Sequence, residues 1–161
     1  MQLNDTNRSG NICVSKTGLT AGTTTTYTTG ATCVFSVKGT MYSKSAVTNG
    51  ATPTTDANTG VAFVPLTAGK SCLFLFGFTA GGTVKVAQGP VVNTDDVTNK
   101  LAALQFPVFG DDVCAFGYLK AQAGSTLSGS WTFGSSNLSG VTGMTYTFAD
   151  LLAIPAAPLA A

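Results

Sequence analysis

Short stretches in which apolar and polar residues alternate run along most of the chain. Cys33, Phe35 and Val37, for example, alternate with Val34, Ser36 and Lys38. A period of two predicts strands with one buried face, and frequent glycine, asparagine and threonine residues predict the turns between them. The predicted strands cover residues 12–16, 23–29, 33–38, 40–45, 61–66, 71–79, 83–88, 113–121, 129–133 and 144–148.

One of these predicted strands, residues 71–79, differs from the others because it is apolar on both faces. Such a run is typical of a strand in the middle of a sheet, with side chains buried above and below it. The sequence Ala-Gly-Gly at residues 80–82 predicts a tight turn into the strand at 83–88, so the two strands form a hairpin. Asn49 and Gly50 form the dipeptide with the strongest preference for a two-residue turn.

A single helix is predicted, over residues 94–104. Thr94 is a candidate N-cap, and Asp95 and Asp96 would lie in the first turn, where the helix dipole favours negative charge. The sequence Gln-Phe-Pro ending at Pro107 would stop the helix. Its apolar positions at helical spacing are Val97, Leu101 and Leu104.

Many short strands with one helix predict an all-β protein, an antiparallel β-sandwich or a jelly-roll-like barrel. A chain of 161 residues is long enough for one domain with a real core. We expect that domain to span residues 11–153. The polar residues 1–10 and the Pro/Ala-rich residues 154–161 are predicted to be extended terminal arms.

Composition narrows the chemistry open to this protein. The chain has no histidine, no glutamate and only one arginine, while 26 of its residues are threonine. Without histidine, no side chain titrates near neutral pH unless its pKa is strongly shifted. The net charge of +1 creates no field that would attract nucleic acid. We therefore expect a non-enzymatic protein without a cofactor or metal, which acts through shape and contact.

The four cysteines are spaced too widely for a CxxC zinc or redox motif, and each lies in an apolar stretch. We expect them to be buried free thiols. No apolar signal segment follows the polar start, and the longest apolar run is far shorter than the roughly 20 residues that span a bilayer. We expect a protein that does not insert into a membrane, and that either stays in the cytoplasm where it is made or is exported together with something else.

Three local patterns suggest chemistry but have simpler explanations. Residues 67–71 end like a phosphate-binding loop, although the first glycine is missing and the next segment is a predicted strand. The acidic pairs 95–96 and 111–112 would suit calcium or a glycosidase, but adjacent residues seldom converge on one site. We expect residues 67–71 to form a turn and the two acidic pairs to have structural roles.

Aromatic residues at 131, 133, 146 and 148 lie on two predicted strands that flank a Gly/Ser-rich loop. Such aromatics form either a sugar-stacking surface or part of the core or of a subunit interface. The spacing favours the core or interface interpretation, and the sugar-binding surface stays open as the alternative.

Residues 48–78 and 105–158 combine Thr-, Gly- and Ala-rich β sequence, very few charges and a Pro/Ala tail. In these features the chain resembles the small structural proteins of tailed-bacteriophage particles. The resemblance implies a virion component, most similar to a decoration (cement) protein on the capsid exterior. Such proteins are commonly β-rich trimers that bind where capsid hexamers and pentamers meet, which implies the major capsid protein and further copies of this chain as partners.

The terminal arms are the predicted contacts with those partners, namely Met1, Gln2, Leu3, Ile154, Pro155, Pro158 and Leu159. A tail-fibre or receptor-binding module is the first alternative, and it would display exposed aromatics such as Trp131 and Tyr146 around a glycan groove. A polysaccharide-cleaving enzyme is the second alternative, which the lack of glutamate and histidine disfavours.

Overall fold

The computed structural model describes residues 10–152, and within that range it contains eleven strands and one short helix. The strands, in chain order, are β1 (Leu19–Ala21), β2 (Tyr27–Thr29), β3 (Cys33–Val37), β4 (Thr40–Lys44), β5 (Leu66–Thr67), β6 (Lys70–Thr79), β7 (Val84–Gln88), β8 (Val92–Asn93), β9 (Val113–Ala123), β10 (Ser130–Trp131) and β11 (Met144–Asp150), and the helix α1 (Thr94–Thr98) lies between β8 and β9. No helix in this part of the chain is long and apolar enough to cross a membrane.

The fold is built around a five-stranded antiparallel sheet in the order β11-β9-β6-β7, with β8 paired to the start of β6. Strand β6 lies in the middle and is buried on both faces, as its sequence predicts. Strand β7 follows it as the predicted hairpin partner, with Phe76 opposite Val86. The long pairing of β6 with β9 supplies the backbone hydrogen bonds for the centre of the molecule.

Three two-stranded sheets form the second layer over one face of this sheet: the hairpins β1–β2 and β3–β4, and the long-range pair β5–β10. Between the layers lies a core rich in aromatic rings. Phe74 stacks on Phe133 with ring centroids 4.8 Å apart, and Phe78 stacks on Phe116 at 4.2 Å. The predicted all-β sandwich is therefore confirmed, whereas the barrel alternative is wrong, because the second layer consists of separate two-stranded sheets.

The opposite face of the central sheet has a smaller core. Leu73, Leu75 and Tyr118 point to that side, and Leu104 and Leu151 cover them. Alternation along β6 therefore divides its side chains between two cores, which is why its sequence shows no polar face.

A β-bulge lets the covering layers approach the sheet closely. The pairing of β6 with β9 shifts register between Phe76 and Gly77, so β9 carries one extra residue there. A Cβ atom on Gly77 would lie 2.8 Å from the ring of Phe109, and one on Gly117 would lie 2.7 Å from the side chain of Leu19. Both glycines thus leave room for a side chain from a covering segment.

The predicted helix over residues 94–104 is wrong in length. Helix α1 is a single turn of five residues, and Asn93 rather than Thr94 occupies its N-cap position. The chain leaves the helix through Lys100, whose φ of 59° lies in the left-handed region. Beyond that point Leu101 is 78% exposed, while Leu104 reaches the smaller core from a segment without regular structure.

The first part of the chain also departs from its predicted strands. Residues 12–16 contribute only an isolated bridge between Cys13 and Phe35, and residues 61–66 form a strand only from Leu66 onward. Of the threonine run at 23–29, only the residues of β2 form a strand. They pair with β1, a short strand that the sequence pattern does not predict. These segments lie at the outside of the fold. There, apolar and polar side chains can alternate although the backbone is not hydrogen-bonded to a neighbouring strand along its whole length.

Candidate interaction surface

The predicted contact residues lie outside residues 10–152 and have no described structure. They are Met1, Gln2, Leu3, Ile154, Pro155, Pro158 and Leu159. The same holds for most of both predicted arms. Candidate surfaces are therefore sought among the described residues.

An apolar surface lies on the outside of the β3–β4 hairpin. Residues 12–14, called segment 12–14 below, run antiparallel to β3, with the amide of Val14 donating to the carbonyl of Val34 at 2.9 Å. Cys13 and Phe35 form the bridge between them, and both side chains are buried. Because side chains alternate along an extended chain, Ile12 and Val14 point away from the core.

Strand β4 continues this surface with Met41, which pairs with Ser36. The exposed fractions are 46% for Ile12, 54% for Val14 and 54% for Met41, while Val34 between them is half-buried. We call Ile12, Val14, Val34 and Met41 the outer apolar face. Four apolar side chains held on a hydrogen-bonded scaffold form a surface suited to a protein partner.

A second apolar surface is a cleft of about 450 Å³ whose walls include Val61, Val64, Pro90 and Val91. We call it the valine cleft. Gln88 fixes one wall, because its side-chain oxygen accepts a hydrogen bond from the amide of Val64 at 2.7 Å and its side-chain nitrogen donates to the Val64 carbonyl at 2.9 Å. The cleft therefore has a defined shape.

The buried carboxylate of Asp56 anchors the other side of the valine cleft. It is only 6% exposed and accepts hydrogen bonds from the amides of Asn58 at 2.8 Å, Thr59 at 2.9 Å and Gln88. These donors satisfy the charge by backbone contacts. Asp56 thus holds the loop at residues 56–60 against β7.

All four cysteines are buried free thiols, as the sequence predicts. The spacing along the chain does not reveal, however, that Cys13 and Cys33 meet. Their Sγ atoms lie 3.6 Å apart beneath the outer apolar face. The hydrogen bond from the thiol of Cys33 lowers the pKa of Cys13. The same contact and burial raise the pKa of Cys33.

The phosphate-loop-like residues form the turn between β5 and β6, so the turn interpretation is confirmed. Asp95 and Asp96 begin α1, and Asp111 lies 4.0 Å from Lys38 in an exposed ion pair. Among residues 10–152, no group of three or more acidic, cysteine or histidine side chains is placed to hold a metal ion.

The aromatic residues of β10 and the following turn belong to the core. Trp131 is 1% exposed, and its indole nitrogen donates to the carbonyl of Asn137 at 2.8 Å. Phe133 is fully buried. Tyr146 is half-buried and donates to the same carbonyl at 3.1 Å. Trp131 is therefore not the exposed aromatic that a host-recognition module would display.

Comparisons with known proteins found no match for this chain. No family model matches the chain, and neither a curated protein nor a solved structure is similar to it.

Proposed function

We propose that this chain is a non-enzymatic virion structural protein of a tailed bacteriophage. In this proposal it decorates the capsid exterior as a homotrimer and stabilises the shell by bridging major capsid subunits. Assembly takes place in the host cytoplasm. The resemblance of residues 48–78 and 105–158 to phage structural proteins motivates the role.

The observation that carries the proposal is the outer apolar face on a chain with very few charges. Charged residues make up 9% of the sequence, against about 25% in ordinary soluble proteins. Exposed apolar side chains on such a surface favour permanent contacts, because little polar desolvation opposes association. A cement protein requires only this kind of contact and no reaction chemistry.

Bridging requires contact with more than one neighbour, and the chain offers two separate apolar surfaces. The outer apolar face lies on β3, β4 and segment 12–14, whereas the valine cleft lies beside β7. We assign the outer apolar face to contacts between copies and the valine cleft to the capsid. A trimer with cyclic symmetry would repeat the cleft three times around a capsid axis and so multiply a weak contact.

The assignment of the outer apolar face is tested by light scattering of the purified chain at several concentrations. We expect a trimer that persists on dilution, and a monomer for Met41→Lys, because three lysines would be forced into an apolar interface. Leu101→Lys is the matched control, since Leu101 is exposed but lies outside the face. A wild-type chain that is monomeric throughout contradicts the trimer.

The capsid role is tested with particles assembled with and without the chain. Complete particles should survive heating and osmotic shock better than particles that lack the protein. Val64→Lys should bind capsids less well than the wild type while remaining a trimer, because only the valine cleft changes. Equal resistance of the two kinds of particle would show that the stabilising role is wrong.

A further inference from the structure

We infer that Cys13 and Cys33 are a modification site, a thiol pair that closes to an intramolecular disulfide when the protein meets an oxidising disulfide compound. Their Sγ atoms are 3.6 Å apart, and both residues are 1% exposed. A disulfide bond is about 2.05 Å long, so closure needs an approach of roughly 1.5 Å. The inference does not depend on the proposed capsid role.

The backbone places the two sulfur atoms on one face of a strand pair. Cys13 pairs with Phe35, and Cys33 lies two residues before Phe35 on β3, so the cysteines are diagonal neighbours across the pair. The ladder is irregular here, because the amide of Val34 bonds to the hydroxyl of Ser15 at 2.7 Å. An edge segment with such pairing adjusts more easily than a strand inside a sheet.

Chemistry favours these two thiols over the other cysteines. Cys13 lies on segment 12–14, which pairs with β3 through one isolated bridge, so local opening exposes its thiol more readily than a thiol on a central strand. Burial raises the pKa values of Cys72 and Cys114 to about 12, which keeps both as unreactive thiols. The thiol of Cys72 also donates a hydrogen bond to the carbonyl of Gly89 at 3.0 Å.

The reaction is a pair of thiol–disulfide exchanges. When segment 12–14 opens locally, the Cys13 thiolate attacks a small-molecule disulfide such as oxidised glutathione, and one glutathione thiolate leaves and takes up a proton. Cys33 then loses its proton to solvent and attacks the Cys13 sulfur, which releases the second glutathione. Two protein thiols are oxidised to one disulfide, and one glutathione disulfide is reduced to two thiols.

The bond would fasten segment 12–14 to β3 directly beneath the outer apolar face. Ile12 and Val14 would then be held in place by a covalent link in addition to backbone hydrogen bonds. A reducing cytoplasm keeps such a pair open, and oxidising surroundings close it. The disulfide thus acts as a lock that is applied after the chain has left a reducing compartment.

Peptide mapping of the wild-type chain tests the inference directly. The protein is incubated with oxidised glutathione, its remaining thiols are blocked, and it is digested with trypsin. Cleavage after lysine and arginine places the four cysteines on different peptides, with Cys13 on 9–16 and Cys33 on 17–38. We expect these two peptides to be joined, with the other two thiols blocked. A link to Cys114, stable glutathione adducts or four free thiols would overturn the inference.

A thermal shift provides a second readout. Closing the loop between residues 13 and 33 should raise the melting temperature by about 5–10 °C. Cys33→Ser should lose this shift, whereas Cys72→Ala is the matched control and should retain it. Because the mapping needs no variant, the inference remains testable if Cys33→Ser does not fold. A joined peptide pair with an unchanged melting temperature would overturn the locking role.

Discussion

At the scale of single residues, two of the carboxylates, Asp56 and Asp150, anchor the backbone of neighbouring segments. Asp150 at the end of β11 accepts hydrogen bonds from the Thr17 hydroxyl at 2.8 Å and from the amides of Gly18 and Leu19 at 3.0 Å each. It thereby fastens β1 to the edge of the central sheet. Asp56 performs the same task for the loop beside β7.

Replacing Asp150 by Asn should destabilise the fold by about 1–3 kcal/mol, because an amide cannot accept all three hydrogen bonds with the strength of a charged carboxylate. Urea denaturation followed by circular dichroism measures the change. Asp112→Asn, at an exposed position in the turn before β9, serves as control. Equal midpoints for the two variants would contradict the anchoring role.

The buried thiol of Cys72 predicts a loss of stability in alkali. Burial raises its pKa from an ordinary value near 9 to about 12, so the folded state keeps a proton that the unfolded chain releases. The contribution of this thiol to the free energy of unfolding is complete below pH 9 and declines as the pH rises toward 12.

Urea midpoints measured between pH 8 and pH 11 should therefore fall with rising pH. Cys72→Ala should flatten that slope in part, since Cys114 is buried with a similarly raised pKa. A lower but equally steep curve for Cys72→Ala would argue against ionisation of this thiol as a cause.

At the scale of elements, the bulge in β9 decides how closely the β1–β2 hairpin packs on the sheet. Strand β9 alternates between the two cores on each side of the bulge, and the extra residue there is Phe116. Gly117 follows directly, opposite Phe76, and Leu19 of β1 lies against it. Sheet and hairpin therefore interlock at one position that tolerates no side chain.

Gly117→Ala should cost about 1–3 kcal/mol, because its methyl group would meet Leu19 at 2.7 Å and the carbonyl oxygen of Ala149 at 2.9 Å. Gly81→Ala is the control, since a Cβ there has no neighbour closer than the Thr79 hydroxyl at 3.9 Å. Urea unfolding of both variants measures the difference. If Gly117→Ala is no less stable than Gly81→Ala, the tight packing of β1 on the sheet is wrong.

At the scale of the whole molecule, stability is concentrated in the central sheet and decreases outward. Strands β6 and β9 are hydrogen-bonded over ten and eleven residues and lie between two cores. Segment 12–14 is joined to β3 by one isolated bridge and by the hydrogen bond from the Ile12 amide to the Ser36 hydroxyl at 3.1 Å. Local opening therefore begins at the outer apolar face, where contact with a second copy would suppress it.

Hydrogen exchange should reflect this gradient. We expect amides of β6 and the facing part of β9 to exchange only through global unfolding, and those of segment 12–14 to exchange orders of magnitude faster in the monomeric Met41→Lys variant. Trimer formation should slow exchange in segment 12–14 selectively. Uniform protection across the variant would contradict the proposed gradient.

Local sequence patterns predict the fold class, most strands of the central sheet and the buried state of the cysteines. Alternation and a doubly apolar strand are local signals, and β6, β7, β9 and β11 follow them closely. Residue inventory alone likewise argued against histidine-dependent catalysis.

Tertiary packing, by contrast, sets the short length of the helix, the contact between Cys13 and Cys33 and the choice of the core over a subunit interface for Trp131. Helical spacing of Leu101 and Leu104 predicts one buried face, but the smaller core accepts Leu104 from an irregular segment and leaves Leu101 exposed. These outcomes depend on which distant segments cover each face of the sheet. Contacts between residues far apart in the sequence, rather than local propensity, therefore determine these three features.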